Sequence, residues 1–587
     1  MGVALLWLNA RCPTATPVGG TTRDSLRGET KLSEVKRPWN SGRRRAAIAA
    51  IGAAALFAGG LAFGPAAFGD AAPTKFPAAE RYKPTPVPDR VILIPTDKPA
   101  TSQRVSWRAE ASAEWAQAQF LEAPKALGDV APAAGAVTTV KAIANTPVNT
   151  SLGYASTYHT VEFTGLKPAT RYTYRVGDGT NWSEWIDFTT AAEGFEPFSF
   201  IYYGDAQNYI DSAVPRVFRQ AFADRPQAKL IVNAGDLIDS ANSEEQWGQW
   251  YNAGSFIDGQ INNISITGNH EYSGSNLSSF WAPQFPYPEN GPAWGDQAAL
   301  KSTAYYTDYQ GVRFIGLNTN VQSIPEVMAA QTAWLEGLLK DNPNKWTVVT
   351  FHHPVYSTAE GRNNPIIRDQ WGPLFEKYGV DLVLQGHDHT YGRGSTTASK
   401  QSATVHNSTV YAVSVSGGKM YDVDGSVWTD NGADIMAKAE DSQLYQMIDV
   451  KGDSLTYEAR FANGKHFDGV VVRKNDAGER TVNEWRTPET TTGEHVIVST
   501  TAPKAGSKLA VTGYGYDPGE SVDVYLRKTS TAEGKPGILI ATKKADELGR
   551  LDYTFTLPAS ATGGSQHTVY LESRTQQISS PVITVKK

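Results

Sequence analysis

Five short stretches carry side chains able to bind metal or move protons: "GDAQ" (Gly204 to Gln207), "GDLID" (Gly235 to Asp239), "GNHE" (Gly268 to Glu271), "HHP" (His352 to Pro354) and "GHDH" (Gly386 to His389). They hold five of the ten histidines in the chain. Singly, none is decisive. A "GD" after an apolar run is an ordinary turn or helix cap, "HHP" fits an exposed loop, and "GHDH" fits a mononuclear site. Together they weigh more, because Asp205, Asp236, Asn269, His352, His387 and His389 supply carboxylate, amide and imidazole donors enough for two ions. Two ions about 3.5 to 4 Å apart need a bridging carboxylate, and a mixed oxygen and imidazole shell suits zinc, manganese or iron. His270, between Asn269 and Glu271, reads alone as a turn residue; its meaning depends on whether the other stretches converge on it.

Each stretch follows a run that reads as a buried strand, so convergence requires one sheet edge. From Phe198 onward apolar strands alternate with helical segments and Gly-rich loops: "FSFIYYGD", "RVFRQAFAD", "KLIVNAGD", "NNISIT", "VRFIGLNT", "AAQTAWLEGLLKD", "WTVVTFHHP" and "DLVLQGHDH". This alternation predicts sheets covered by helices over residues 196–480, finished by the antiparallel runs "STVYAVSVSG", "LYQMIDVKGDSLTYEARF" and "FDGVVVRK". Residues 92–190, with "RVILIPT", "QRVSWRAE", "STYHTVEFTG", "RYTYRVGDG" and "EWIDFTT", alternate with period two between turns such as "GLKPAT". That pattern predicts a small all-β sandwich of immunoglobulin or fibronectin type. A third strand series at 490–587, punctuated by "DPGE" and "SATGG", predicts another, suited to spacing or to attachment to polymer or cell surface. The predicted fold class is multidomain: a central α/β domain flanked by N- and C-terminal all-β sandwiches.

At 587 residues the chain exceeds a single hydrophobic core. Its formal net charge is −6, and nine Lys or Arg against three acids in the first 45 residues leave the remainder near −12. A chain of that sign is a poor nucleic-acid binder, so no nucleic acid is expected as a stable partner. The single cysteine, Cys12, leaves no disulfide and no thiolate metal site. Residues 1–72 hold Arg43-Arg44-Arg45 and an uncharged small and apolar run from Ala46 to Gly69, and lead into a Pro-rich linker at 73–91. That is the form of an export signal, which predicts a secreted or cell-envelope protein. The run is longer than the roughly 18 residues of a minimal span, so an uncleaved membrane anchor and a buried helix stay open.

The ordered motifs resemble the calcineurin-like metallophosphoesterase superfamily, and residues 92 to 480 look like its purple acid phosphatase branch, in which a fibronectin-like domain precedes the catalytic one. Outside the ligands, "GLKPATRYTYRVGDG", "YYTDYQGVRFIGLNT", "HHPVYS", "GHDHTYGR" and "YAVSVSGGKMY" carry the resemblance, and the C-terminal sandwich lies beyond it. The resemblance implies a central α/β metallophosphoesterase sandwich holding two metal ions (Fe, Mn or Zn) bridged by Asp236. One ion takes Asp205 and His389; the other takes Asn269, His352 and His387. His270 then points at the phosphoryl group, where it stabilises the transferring oxygens or protonates the leaving oxygen. His353 is left without an assigned role.

Two positions depart from the family pattern. The branch's tyrosine, three residues after the bridging aspartate, is Asp239 here, which removes the phenolate that colours ferric sites. The histidine that ordinary members carry two residues after the first aspartate is Gln207. The amide oxygen of Gln207, Asp239 or water are the alternatives for completing the first ion's shell, and Asp239 pairing with an arginine is a further one. The expected reaction is hydrolysis of a phosphate ester by in-line attack of water activated by coordination, with no covalent protein nucleophile. A small phosphate monoester is the favoured substrate. A diester or nucleotide pyrophosphate comes second, since the aromatics of "EYSGSNLSSFWAPQFPYPENGPAW" either stack on a nucleoside or pack as a lid. A surface-binding protein with weak catalysis is the third reading. Arg362, Arg368 and Tyr356 lie near the predicted active-site loops and are candidates to touch substrate.

Overall fold

Seven strands of the central region bury every one of their residues, and a strand buried on both faces needs cover on both. The computed structural model describes residues 76–586 apart from 111–114, 126–136, 145–146, 294–299, 402–404, 476, 486–495, 515, 517–518, 531–536, 547–549 and 574–576. The leader, with its basic triplet and apolar run, lies outside the described residues. Among the described residues no helix is long and apolar enough to cross a membrane.

Three parallel strands, Phe198–Tyr203, Leu230–Asn233 and Asn262–Ser265, form the heart of the first central sheet. Phe198–Tyr203 also pairs antiparallel with Leu444–Lys451, and Ser454–Phe461, His466–Lys474 and Arg480–Glu484 continue outward from it. The last of these carries the sheet past residue 480. In the second sheet Val312–Gly316, Trp346–Thr350, Leu382–Gln385 and Val410–Val413 run parallel, with antiparallel Tyr305–Tyr309 and Tyr391–Thr396 added. Alternation along these strands decides what each face meets. Ile315, Val349, Val383 and Tyr411 share a core with helices Pro325–Lys340 and Pro365–Tyr378, whereas Phe314, Val348, Leu382 and Leu384 share one with the first sheet. That same core takes in the apolar faces of helices Ile210–Asp224 and Glu244–Gly254. Between the sheets Phe200 meets Phe314 edge to face at 5.2 Å. The Tyr202 hydroxyl donates to the Gln385 carbonyl and accepts from the Gln385 N–H, one residue short of the "GHDH" stretch.

The N-terminal region forms two sheets, one of Asp89–Ile94, Ser102–Glu110 and Ala155–Thr164, the other of Gln117–Glu122, Arg171–Gly177 and Ile186–Thr189. They enclose Trp107, Phe120, Phe163, Tyr174 and Phe188. The first does not stop at a domain edge: Asp89–Ile94 lies parallel to Asn262–Ser265, with Leu93 opposite Asn262, so that one 13-stranded sheet runs through both regions. Glu244 locks the junction, fully buried between Arg90 at 2.6 Å and Arg108. Within the expected Pro-rich linker a one-turn helix, Ala78–Arg81, is tied to the central domain by an Arg81–Asp211 ion pair of 2.8 Å. At the other end Val496–Val498, Lys508–Tyr514 and Arg550–Thr556 form one sheet, and Ser521–Lys528, Ile538–Lys544 and Gln566–Ser573 belong to another. Leu509, Val511, Val524 and Val569 form the core they share. The architecture is a central α/β sandwich flanked by β-rich domains.

Candidate metal centre

All five stretches leave the C-terminal ends of parallel strands, three from the first sheet and two from the second, so the stacked sheets bring them to one edge. Backbone turns then aim the side chains. Asp236, His387 and His389 have φ of 50°, 77° and 51°, left-handed conformations that cost a non-glycine residue of order 1–3 kcal/mol and persist where surrounding structure enforces them. The glycines ahead of Asp205, Asp236, Asn269 and His387 answer to space. A Cβ on Gly268 would stand 2.1 Å from Asp236 Oδ1, and one on Gly386 2.2 Å from Asp205 Oδ1. The recurring Gly-Asp, Gly-Asn and Gly-His pairs are therefore a packing requirement of the loops that cross one another here.

Two clusters result, Asp205 with Asp236 and His389, and Asp236 with His352 and His387; within each, the donor atoms all lie within 4.8 Å of one another. Asp236 belongs to both. His389 Nε2 lies 3.3 Å from Asp205 Oδ2, and His352 Nε2 lies 3.1 Å from Asp236 Oδ2. Asn269 joins the second cluster, its Oδ1 standing 3.1 Å from His352 Nε2 and 2.9 Å from His387 Nδ1. The remaining ring nitrogens of two histidines are anchored on carbonyls: His352 Nδ1 is 2.9 Å from Ala234 O, and His389 Nδ1 is 3.1 Å from Lys419 O. Such outer contacts fix which nitrogen faces the centre.

Electrostatics agree with cation binding except at His352, where burial lowers the pKa but Asp236 and Asp205 outweigh it and raise it to about 9, so a cation bound there displaces its proton. Burial pushes the His389 imidazole down to about 3 and His387 well below its ordinary value, so both rings are neutral at neutral pH, the form that ligates. Burial also opposes ionisation of Asp236, but the charge of His352 and the hydrogen bond with it outweigh that and hold the carboxyl low. Asp205 is pushed up, by burial first and by Asp236 beside it. Its Oδ2 is buried without a hydrogen-bond partner. Two buried carboxylates side by side, one with a bare oxygen, are costly in themselves and are satisfied by metal cations, so the residues present fit a pair of ions.

The other expected residues fall beside this centre. The His270 N–H donates to Asp236 Oδ1 at 2.8 Å, and His270 Nδ1 lies 2.6 Å from Asp239 O and 3.6 Å from Asp239 Oδ1. Asp239, read from the sequence as an alternative ligand or an arginine partner, stands in neither cluster and faces His270 instead. The reason is local: its backbone N–H is held by Gln246 Oε1 at 3.1 Å, which turns the loop toward His270. Gln207 is fully buried against the first cluster. His353 Nδ1 is 2.8 Å from Thr319 Oγ1 and its ring is 4.2 Å from that of His387. Of the three candidate substrate contacts, only Arg362 reaches the centre, donating to the His387 carbonyl and lying 4.8 Å over Tyr421, whose ring is 5.0 Å from His389. Arg368 bonds Asn363 at 2.8 Å and Tyr356 is buried against Trp428. Sequence reasoning passed over Glu271 and Tyr421, although both stand in quoted motifs, "GNHE" and "SGGKMY".

Residues 88–190 match the purple acid phosphatase N-terminal domain, and residues 199–391 match the calcineurin-like phosphoesterase family. Purple acid phosphatase 15 of Arabidopsis thaliana is 25% identical over 283 residues, covering 42% of this chain and 52% of that protein. An uncharacterized protein of Mycobacterium tuberculosis is 27% identical over 267 residues, covering 39% of this chain and 49% of that protein. The chain spans about half the length of these curated relatives. A purple acid phosphatase from yellow lupin seeds shares the fold at a TM-score of 0.52 and 17% identity, over 67% of this chain and 75% of that one. The two family matches lie in order along the chain, and the second spans all the residues of the two Asp/His clusters that share Asp236, so residues 88–391 are similar to a purple acid phosphatase N-terminal domain followed by a calcineurin-like phosphoesterase domain.

Proposed function

We propose that the protein is a binuclear metal-dependent phosphoric ester hydrolase acting on small phosphate monoesters. The observation that carries this reading is the membership of Asp236 in both Asp/His clusters, with His270 held beside it. Metal ions held there, one by Asp205, Asp236 and His389 and the other by Asp236, Asn269, His352 and His387, would neutralise a phosphoryl group and lower the pKa of coordinated water. The chain's own residues supply the remaining chemistry. With His270 Nδ1 engaged by Asp239, Nε2 is the ring atom left to serve the leaving oxygen, and Asp239 acts as its positioning residue. Arg362, beside His387, and Lys419, 5.3 Å from the Tyr421 ring centroid, add positive charge near the ligands. A monoester carries more negative charge than a diester, so this surround favours monoesters.

The packing of the Tyr272–Pro288 segment supports the same choice. Phe280, Trp281, Phe285 and Tyr287 are each at most 1% exposed, so these four are core and offer no face on which a nucleoside would stack, while Tyr272 is half-buried and Trp294 lies outside the described residues. Export, and attachment to polymer or cell envelope through the C-terminal sandwich, belong to the proposal on sequence grounds alone. To test it, the purified full chain is analysed for metal and assayed against an aryl phosphate monoester and a bis-aryl phosphate diester. Near two ions per chain with preference for the monoester supports the reading. Preference for the diester overturns the substrate class, and two bound ions without turnover on either ester returns the protein to the surface-binding reading.

A further inference from the structure

We infer that the side-chain carbonyl of Gln207 is a protein ligand of the ion held by Asp205, Asp236 and His389, and that this neutral oxygen makes the first site a divalent-ion site. The inference rests on the binuclear reading above and deepens it. Gln207 lies two residues beyond Asp205 on the same loop, and its backbone N–H donates to Asp236 O at 3.0 Å, which seats the side chain at the junction of the first two stretches. The side chain is fully buried. Its Nε2 lies 2.9 Å from Asp236 Oδ2 and 2.7 Å from His389 Nε2, two donor atoms of the first cluster. Its Oε1 is buried with no hydrogen-bond partner.

A buried amide oxygen without a partner is costly, whereas an amide nitrogen aimed at ligand atoms blocks the place where an ion belongs. Half a turn of the amide exchanges the two, since oxygen and nitrogen occupy nearly equivalent positions. With a cation among Asp205, Asp236 and His389, the oxygen is the end that gains by facing inward. The competing donor at this site, Asp239, is engaged with His270. A carbonyl adds a hard donor but no negative charge, so it compensates a trivalent ion less than a phenolate does and favours an oxygen-preferring divalent ion such as manganese.

The test uses the full chain, stripped of metal with chelator and titrated with Mn²⁺ by calorimetry, with electron paramagnetic resonance reporting whether two Mn²⁺ ions are spin-coupled. Wild type is expected to bind two coupled ions. Gln207→Leu is expected to keep one tight, uncoupled ion and to lose affinity for the other by about tenfold or more. Gln207→Glu, which restores an oxygen, is expected to bind two, and Asp239→Asn to bind as wild type does. Two coupled ions at wild-type affinity in Gln207→Leu overturn the inference while leaving the binuclear reading intact. Weakening in Gln207→Glu equal to that in Gln207→Leu, or loss of one ion in Asp239→Asn, also overturns it. A wild type that binds fewer than two ions overturns the binuclear reading, and the inference with it. Thermal melts of the metal-free variants identify any that do not fold; Gln207→Glu then carries the test.

Discussion

The carboxylate of Glu271 holds the backbone of Asp236. Glu271 Oε2 accepts the Asp236 N–H at 2.9 Å and the Gly268 N–H at 2.7 Å, while Oε1 accepts the Leu237 N–H at 2.8 Å. One buried side chain thereby ties the "GDLID" loop to the "GNHE" loop and steadies the left-handed turn at Asp236. This is the physical reason a glutamate closes "GNHE".

Glu271→Gln sets an amide donor against backbone donors. Because Asp236 belongs to both clusters, the substitution is expected to weaken both metal sites together, by about 10- to 100-fold, the range typical of outer-shell changes. Metal titration calorimetry checks this, and weakening confined to one site would contradict it.

His270→Ala is expected to lower kcat on an aryl phosphate by about 10²- to 10⁴-fold, the usual contribution of a positioned proton donor, with two metal ions still bound. Asp239→Asn, which keeps the backbone carbonyl that lies 2.6 Å from His270 Nδ1, is expected to cost less. Steady-state kinetics beside metal analysis separates the two effects. Loss of metal in His270→Ala would assign this histidine to the ligands instead.

Two glycines are expected to respond oppositely to the same change. Gly386→Ala drives a Cβ to 2.2 Å from Asp205 Oδ1 and 2.9 Å from Ala234 O, and is expected to cost about 1–3 kcal/mol and to displace a ligand. Gly337→Ala, in helix Pro325–Lys340 with nothing within 4 Å of the new carbon, is expected to stabilise by about 0.5–1 kcal/mol. Denaturant midpoints of the two variants test the contrast.

The two Asp/His clusters were legible because the stretches that supply them follow apolar runs, and such runs form parallel strands whose ends share an edge. The flanking β regions were legible from period-two alternation for the same kind of reason. Helix Glu244–Gly254 was not read, since its buried face mixes Trp247, Trp250 and Tyr251 with Glu244 and the helix-disfavouring Gly248 and Gly254, and it holds no aliphatic residue larger than Ala253. The pairing of Leu93 with Asn262, which joins the N-terminal sheet to the central one, depends on strands far apart in sequence and has no local signature. Nor did proximity in sequence separate Arg362, which reaches the His387 carbonyl, from Arg368, which turns back onto Asn363. The orientation of Asp239 toward His270 depends on Gln246, from a helix the sequence did not announce.

His159 gives the N-terminal sandwich a pH dependence of known sign. Fully buried, with neither ring nitrogen hydrogen-bonded, it is pushed by burial from 6.5 down to about 4. Between those values the unfolded imidazole takes up a proton that the folded one resists, so stability is complete above pH 6.5 and falls as pH drops toward 4. His159→Phe, beside Trp107, is expected to flatten this loss. Thermal melts at several pH values across the window check it; an unchanged acid slope would show that His159 does not contribute.

The most direct test of the shared centre is the metal content of Asp236→Ala, measured beside wild type and His389→Ala after equilibration with manganese. A carboxylate common to both clusters predicts that Asp236→Ala binds neither ion tightly, while His389→Ala keeps the ion held by Asn269, His352 and His387. Retention of two tightly bound ions in Asp236→Ala would contradict the account.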